Sequence, residues 1–240
     1  MPTKITVSGH YLEIKEYEKT INKVRRFKAK KRTYKSDRGL RFNSPSSISR
    51  KKQNFLRLVR SNLDGVNAPA LFTLTMFEVV TIRSAYKAFL VFIRRLRKRF
   101  KKSFRYITVP EFQERGAVHF HMMIWGLPVE SIINERGNRF YQSLWQRGFV
   151  DCIPTDGSIK IAGYLAKYLS KSLSDDRLYS EKAYRASGNI LRPVQLPFNS
   201  AINHVSEIWG VDLLTTPPCF DVEYETQWLG KGRYRIYKFI

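Results

Sequence analysis

Between Ala70 and Leu173 the spacing of apolar residues switches repeatedly between a period of two and a period near 3.6. Ala70 to Glu78 (ALFTLTMFE) sets Phe72, Leu74 and Met76 against Thr73, Thr75 and Phe77. Alternation of this kind predicts a strand with one apolar face, and a threonine-bearing face left available for a site. From Ser84, Tyr86, Phe89, Leu90, Ile93, Leu96 and Phe100 recur at helical spacing, while Arg94, Arg95, Arg97, Lys98, Arg99, Lys101 and Lys102 fall opposite. The result is an amphipathic helix with its cations at the C-terminal end, where the macrodipole favours them. Arg105 to Glu111 and Ala117 to Trp125 predict two further strands, joined near Gly116 as a hairpin. A short helix around Arg139 to Trp145, a fourth strand at Gly148 to Ile153 and a second long helix at Ser158 to Leu173 follow, with Asp156 or Ser158 as its N-cap. Upstream, Asn43 to Ser49 reads as loop and Arg50 to Leu63 as helix, with Phe55, Leu58, Val59 and Asn62 on one face. Near the end, Phe220 to Trp228 and Arg233 to Phe239 alternate around Gly230-Lys231-Gly232, which predicts another hairpin. No internal repeat is visible.

Charge adds a partner to this picture. The 240 residues carry 43 Lys and Arg against 20 Asp and Glu, a formal net charge of +23. So strong an imbalance points to a polyanion. With 43% apolar residues, 16 Phe, 13 Tyr and 4 Trp, the charge decorates a folded body and not a disordered tail. Lys19 to Lys35 concentrates nine cations in seventeen residues. Three segments are expected: a basic N-terminal arm or subdomain over 1–65, a central domain over 66–195 and a C-terminal extension with its hairpin over 196–240. Lys30, Lys31 and Arg32 of the arm, Arg95 and Lys98 of the basic helix and Arg115 of the hairpin turn are the candidate nucleic-acid contacts. Two cysteines, Cys152 and Cys219, without metal-binding spacing exclude a zinc finger and a disulfide framework, and favour a reducing interior. The longest strongly apolar run, Ala88 to Ile93, is too short to cross a bilayer, and the N-terminus lacks the features of an export signal. A cytoplasmic location is expected.

Candidate chemistry sits on the hairpin and the second long helix. His119 and His121 stand two apart on a strand, so both imidazoles project from one face, while Val118, Phe120 and Met122 project from the other. Glu111 lies eight residues before His119 across the turn, roughly opposite the histidines, with Gln113 on the same face nearer the turn. Two nitrogens with one or two oxygens suit Mg²⁺ or Mn²⁺ in a phosphate-handling role, and the sequence does not choose between them. Tyr164, Tyr168 and Lys171 share one face of the helix. An i, i+4 tyrosine pair is commonly core packing, but Leu165, Leu169 and Leu173 already supply the core face, which leaves the two phenols on a flank. A phenol is a poor nucleophile unless a cation stabilises the phenolate, and Lys171 or a bound metal offers that help.

In chain order these motifs are LFTLT (Leu71 to Thr75), a basic helix, EFQERGAVHFHMMIW (Glu111 to Trp125) and YLAKYLSK (Tyr164 to Lys171). The set resembles the HUH rolling-circle replication initiators of phages and plasmids over about residues 68 to 175, and YRASGNILRP (Tyr184 to Pro193) is similar to a segment that follows in phage-type members. The resemblance implies an α+β fold: a ferredoxin-like antiparallel sheet with helices on one face and a tyrosine helix over it. It implies His119, His121 and Glu111 as ligands of Mg²⁺ or Mn²⁺, and Tyr168 and Tyr164 as the paired nucleophiles of the two-tyrosine subtype. It further implies a single-stranded or extruded origin DNA as substrate. No GxxxxGK[ST] motif occurs, so the unwinding helicase and other replication proteins are expected from the host. A transposase or mobilisation relaxase of the same superfamily is the alternative, and a non-catalytic basic protein that coats single strands is a more distant one. Residues 1 to 65 and 195 to 240 match nothing in the family.

Overall fold

The structure, a computed structural model, describes residues 3–19, 45–63, 68–101, 103–128, 135–178, 181–226 and 229–239. In chain order its elements are β1 (Thr3–Ser8), β2 (Tyr11–Tyr17), α1 (Pro45–Arg60), β3 (Ala70–Thr75), α2 (Ile82–Phe100), β4 (Arg105–Phe112), β5 (Val118–Trp125) and α3 (Glu135–Trp145). They continue with β6 (Val150–Pro154), α4 (Lys160–Ser174), β7 (Arg185–Ala186), β8 (Val194–Leu196), α5 (Phe198–Trp209), β9 (Phe220–Thr226) and β10 (Gly230–Lys238). They fall into two compact units, one formed by residues 41–191 and the other by residues 1–40 with 192–240.

In the 41–191 unit five strands form an antiparallel sheet in the order β6-β3-β5-β4-β7. The β3-α2-β4-β5-α3-β6 succession with that order is the ferredoxin-like split arrangement, so the fold is α+β as expected. Alternation along each strand decides what each face buries. Phe72, Leu74, Phe120, Met122 and Ile124 meet Phe89, Phe92 and Ile93 of α2 and Tyr141 and Trp145 of α3. Ile107, Val109, Met123 and Trp125 on the other face meet Phe55, Leu58 and Val59 of α1 and Leu165, Leu169 and Leu173 of α4. Removing each such side chain from water contributes about 1.5–3 kcal/mol, and Leu165, Leu169 and Leu173 form the core face of α4 as their spacing predicts.

Several element ends differ from the sequence expectation, each for a local reason. α1 begins at Pro45 and not Arg50, because proline's fixed φ suits a first helical turn and its missing N–H costs nothing there. α2 begins at Ile82, capped by Thr81, whose hydroxyl accepts from the Ser84 N–H. Leu90, expected on its apolar face, is exposed. Neither Asp156 nor Ser158 caps α4: Asp156 accepts from the Ser158 N–H at 2.8 Å in the preceding turn, and the helix starts at Lys160.

The other unit is an antiparallel sheet in the order β8-β1-β2-β10-β9. α5 lays Ala201 and Val205 on a core of Ile5, Val7, Leu12, Ile14, Tyr237 and Phe239. The expected C-terminal hairpin is present as β9 and β10. The three-segment division at 65 and 195 does not coincide with these units. Residues 3–17 are two strands sharing a sheet with the C-terminal hairpin, while α1 lies in the unit that holds β3 to β7. Nonlocal pairing between chain ends leaves no mark in local periodicity. None of the described helices is long and apolar enough to cross a membrane.

Candidate functional site

Strand register brings the site together. In the β4–β5 hairpin Glu111 pairs with His119 and Val109 with His121, and β3 places Thr75 beside His119 and Thr73 beside His121. Gly116, at φ 85°, closes the turn between the two strands. α4 crosses this face: its leucines point into the core, and Ser172 donates its hydroxyl to the Pro110 carbonyl, fixing the helix next to Glu111.

Within the site His121 Nε2 lies 2.7 Å from Glu111 Oε2, and Lys171 Nζ donates to Glu111 Oε1 at 2.5 Å. The Tyr168 ring stacks on His121 with centroids 3.4 Å apart and planes 15° from parallel. Its hydroxyl donates to that of Tyr164 at 3.2 Å. Lys171 Nζ also stands 5.6 Å from the Tyr168 ring centre. His119, Glu111, His121, Tyr168, Tyr164 and Lys171, separated by up to 60 residues, thus form one connected cluster.

Burial sets the protonation of this cluster. It pushes His121 down to about 4 despite the Glu111 carboxylate, and lowers His119 as well, with the Arg115 charge adding to the effect. For Glu111 burial acts upward, but the hydrogen bonds from Lys171 and His121 outweigh it and hold the carboxyl below its ordinary value. The Tyr164 phenol is pushed up to about 12, chiefly by burial, with the Asp151 charge adding to the effect. At neutral pH the site therefore presents two neutral imidazoles and one carboxylate, the protonation states that metal ligation needs. Two ring nitrogens, His119 Nε2 and His121 Nδ1, are buried without a hydrogen-bond partner among the described residues. Among the described residues no three His, Cys, Asp or Glu side chains stand as a ready-made cage. Glu111 is engaged with Lys171 and His121 instead. The fit to a divalent ion rests on donor chemistry and on the orphaned His119 nitrogen.

The candidate DNA contacts divide. Lys98 is exposed on α2. Arg95 is half-buried and donates to the Leu144 carbonyl at 2.7 Å, which satisfies the end of α3. Arg115 donates to the carbonyls of Phe77 and Met76 at 2.7 and 2.5 Å and to Gln113 Oε1 at 3.1 Å, so its guanidinium braces the turn beside β3. Lys30, Lys31 and Arg32 lie outside the described residues. The Tyr184 to Pro193 segment supplies β7, which pairs with β4, and buries Ile190. Sequence reasoning misses Ser172 and Asp151. Asp151 pairs with Thr73 in the β3–β6 register and its charge helps raise Tyr164. The alternation in GFVDCI, which sets Asp151 against Val150 and Cys152, is the signal that could have found it.

No curated protein and no solved structure matches the chain significantly. Residues 69–173 match the family described as Replication-associated protein ORF2/G2P. The match begins at β3 and ends in the last turn of α4, so the segment that holds all six clustered side chains is the segment similar to replication-associated proteins.

Proposed function

We propose that the protein cuts and rejoins single-stranded DNA through a phosphotyrosine intermediate, as the enzyme that starts and ends rolling-circle replication of a phage or plasmid. The observation that carries this reading is the Tyr168 ring stacked on His121, with the Tyr164 hydroxyl 3.2 Å from its own, inside the segment similar to replication-associated proteins. A phenol over a neutral imidazole and a carboxylate serves phosphoryl transfer to tyrosine better than it serves simple DNA coating.

Tyr168 is the nucleophile of the first cut. Its hydroxyl loses its proton as the oxygen bonds to phosphorus, and the 3′ oxygen of the upstream strand leaves and takes up a proton. The downstream strand then stays on Tyr168 through its 5′-phosphate, and attack by a 3′-OH reverses each step without ATP. Tyr164 accepts the Tyr168 hydrogen bond, which orients that hydroxyl, and it is the second nucleophile when a regenerated junction is cut. Lys171 keeps Glu111 ionised and holds a positive charge beside the Tyr168 ring. His119, His121 and Glu111 would hold Mg²⁺ or Mn²⁺, which when bound supplies Lewis-acid charge at the scissile phosphate. The helicase that exposes the strand would come from the host.

The test is a 3′-labelled randomised single-stranded DNA library incubated with the protein and Mn²⁺, then resolved on a denaturing gel. A labelled protein adduct is expected from the parent, a weaker one from Tyr168→Phe, and none from the Tyr164→Phe/Tyr168→Phe double variant. Absence of an adduct from the parent, or an adduct on another residue in the double variant, overturns the assignment.

A further inference from the structure

Phe77 and Phe149 are 53% and 59% exposed, yet they meet edge to face with ring centres 4.8 Å apart. Two exposed aromatics in contact make a contiguous apolar surface, the kind of feature on which a ligand with a flat face can rest. Their backbone is clamped. The Phe77 N–H donates to the Arg147 carbonyl at 2.8 Å, and its own carbonyl accepts from Arg115 at 2.7 Å. The Thr75 N–H donates to the Phe149 carbonyl at 2.8 Å. Gly148, between Arg147 and Phe149, approaches so closely that a Cβ there would lie 2.0 Å from the Thr75 carbonyl oxygen. The pair is therefore a built feature of two pinned segments.

Register says what it adjoins. Phe149 bonds to Thr75, Thr75 pairs with His119, and His119 pairs with Glu111. Neighbouring strands lie about 4.8 Å apart, so the Phe149 backbone is about 10 Å across the sheet from that of His119. The surroundings favour a polyanion: Arg147 is exposed, and Arg115 spends its hydrogen bonds on neutral oxygens and so keeps its full charge beside the pair. Apolar rings beside cations, next to a phosphate-handling cluster, match the two halves of a nucleotide, base and phosphate.

We infer that Phe77 and Phe149 form a stacking platform for unpaired bases flanking the phosphate cut at the Tyr168 cluster. This rests on the proposed function for its ligand. Stacking is indifferent to base identity, so the platform holds the strand and selects unpaired bases over a duplex, and it does not read sequence. Arg115 is a positioning residue that holds Phe77 through its carbonyl.

The experiment is anisotropy of a labelled randomised single-stranded DNA in EDTA, with the parent, the Phe77→Ala/Phe149→Ala double variant and Phe149→Trp, each checked for an unchanged melting temperature. The double variant should bind roughly five- to a hundredfold more weakly at an unchanged salt slope, and Phe149→Trp should keep its affinity and lose tryptophan fluorescence on binding. Unchanged affinity in the double variant, or an equal loss for duplex DNA, overturns the platform even if the parent forms its tyrosine adduct. A selective loss in the variant with no adduct from the parent keeps the platform and removes the nicking reaction.

Discussion

His119 and His121 share a strand face but not a situation. Each has a ring nitrogen without a hydrogen-bond partner among the described residues, but His121 is buried, bonded to Glu111 through its other nitrogen and covered by Tyr168, whereas His119 is half-buried. Chelation, or His119→Ala, should abolish the DNA adduct in the gel assay while leaving single-strand binding by anisotropy within about twofold, because affinity rests on many phosphate contacts. Burial holds His121 near 4 against an ordinary 6.5, so below pH 6.5 the unfolded chain binds more protons than the folded one. Its contribution to stability is complete above pH 6.5 and lost as pH falls toward 4, with Glu111 adding a loss in the same direction at still lower pH. In EDTA the melting temperature should therefore drop between about pH 7 and pH 5, and His121→Gln should flatten that drop. A pH-independent melting temperature there would contradict the buried, neutral imidazole.

At the scale of elements, the joints between helices and strands depend on single polar groups. Asn62, buried just past α1, donates to the carbonyls of Leu58 and Leu191 and accepts from the Leu191 N–H, which ties the helix end to the chain after β7. Asn62→Ala should cost about 2–4 kcal/mol, seen as a lower urea midpoint at constant m-value. Gly148→Ala should cost more than about 2 kcal/mol, since the added Cβ meets backbone, which cannot rotate away. Most elements between 70 and 174 are legible in the sequence because their apolar period is unbroken. The β1–β2 hairpin carries a legible signal too: Ile5 and Val7, then Leu12 and Ile14, alternate around Gly9 at φ 57° in a two-residue loop. Dense Lys and Arg downstream mask it, because there the sum of charge speaks louder than the period.

For the whole molecule, the basic segment and the N-terminal strands need separate tests. Deleting residues 1–35 would remove β2 from the middle of its sheet, so any binding defect would mix misfolding with lost charge. Replacing the nine Lys and Arg of 19–35 with Gln leaves β1 and β2 intact. It should weaken single-strand binding and flatten the plot of log affinity against log salt by roughly 0.7 for each phosphate that is no longer neutralised. An unchanged slope would show that this charge does not touch DNA. Adduct formation on a short oligonucleotide should survive, because the clustered side chains all lie between Glu111 and Lys171.

Local sequence sets which strands and helices form between 70 and 174 and puts the two imidazoles on one face with Glu111 across a hairpin, and its summed charge of +23 is the ground for proposing a polyanion as partner. Each is a local matter of periodicity, turn length or summed charge, and each needs no knowledge of distant partners. Tertiary structure alone decided the rest. Lys171, 60 residues from Glu111, spends its charge on that carboxylate, and Tyr168 lies on His121, because α4 docks on the site face of the sheet. Arg95 and Arg115, cations like any other in the sequence, became braces for carbonyls because the fold brings the ends of distant elements, Leu144 of α3 and Phe77 beyond β3, within reach of their guanidinium groups. The N-terminal strands found their partners in the last fifty residues, a pairing set by the shared apolar face of a sheet that forms only when both ends of the chain meet.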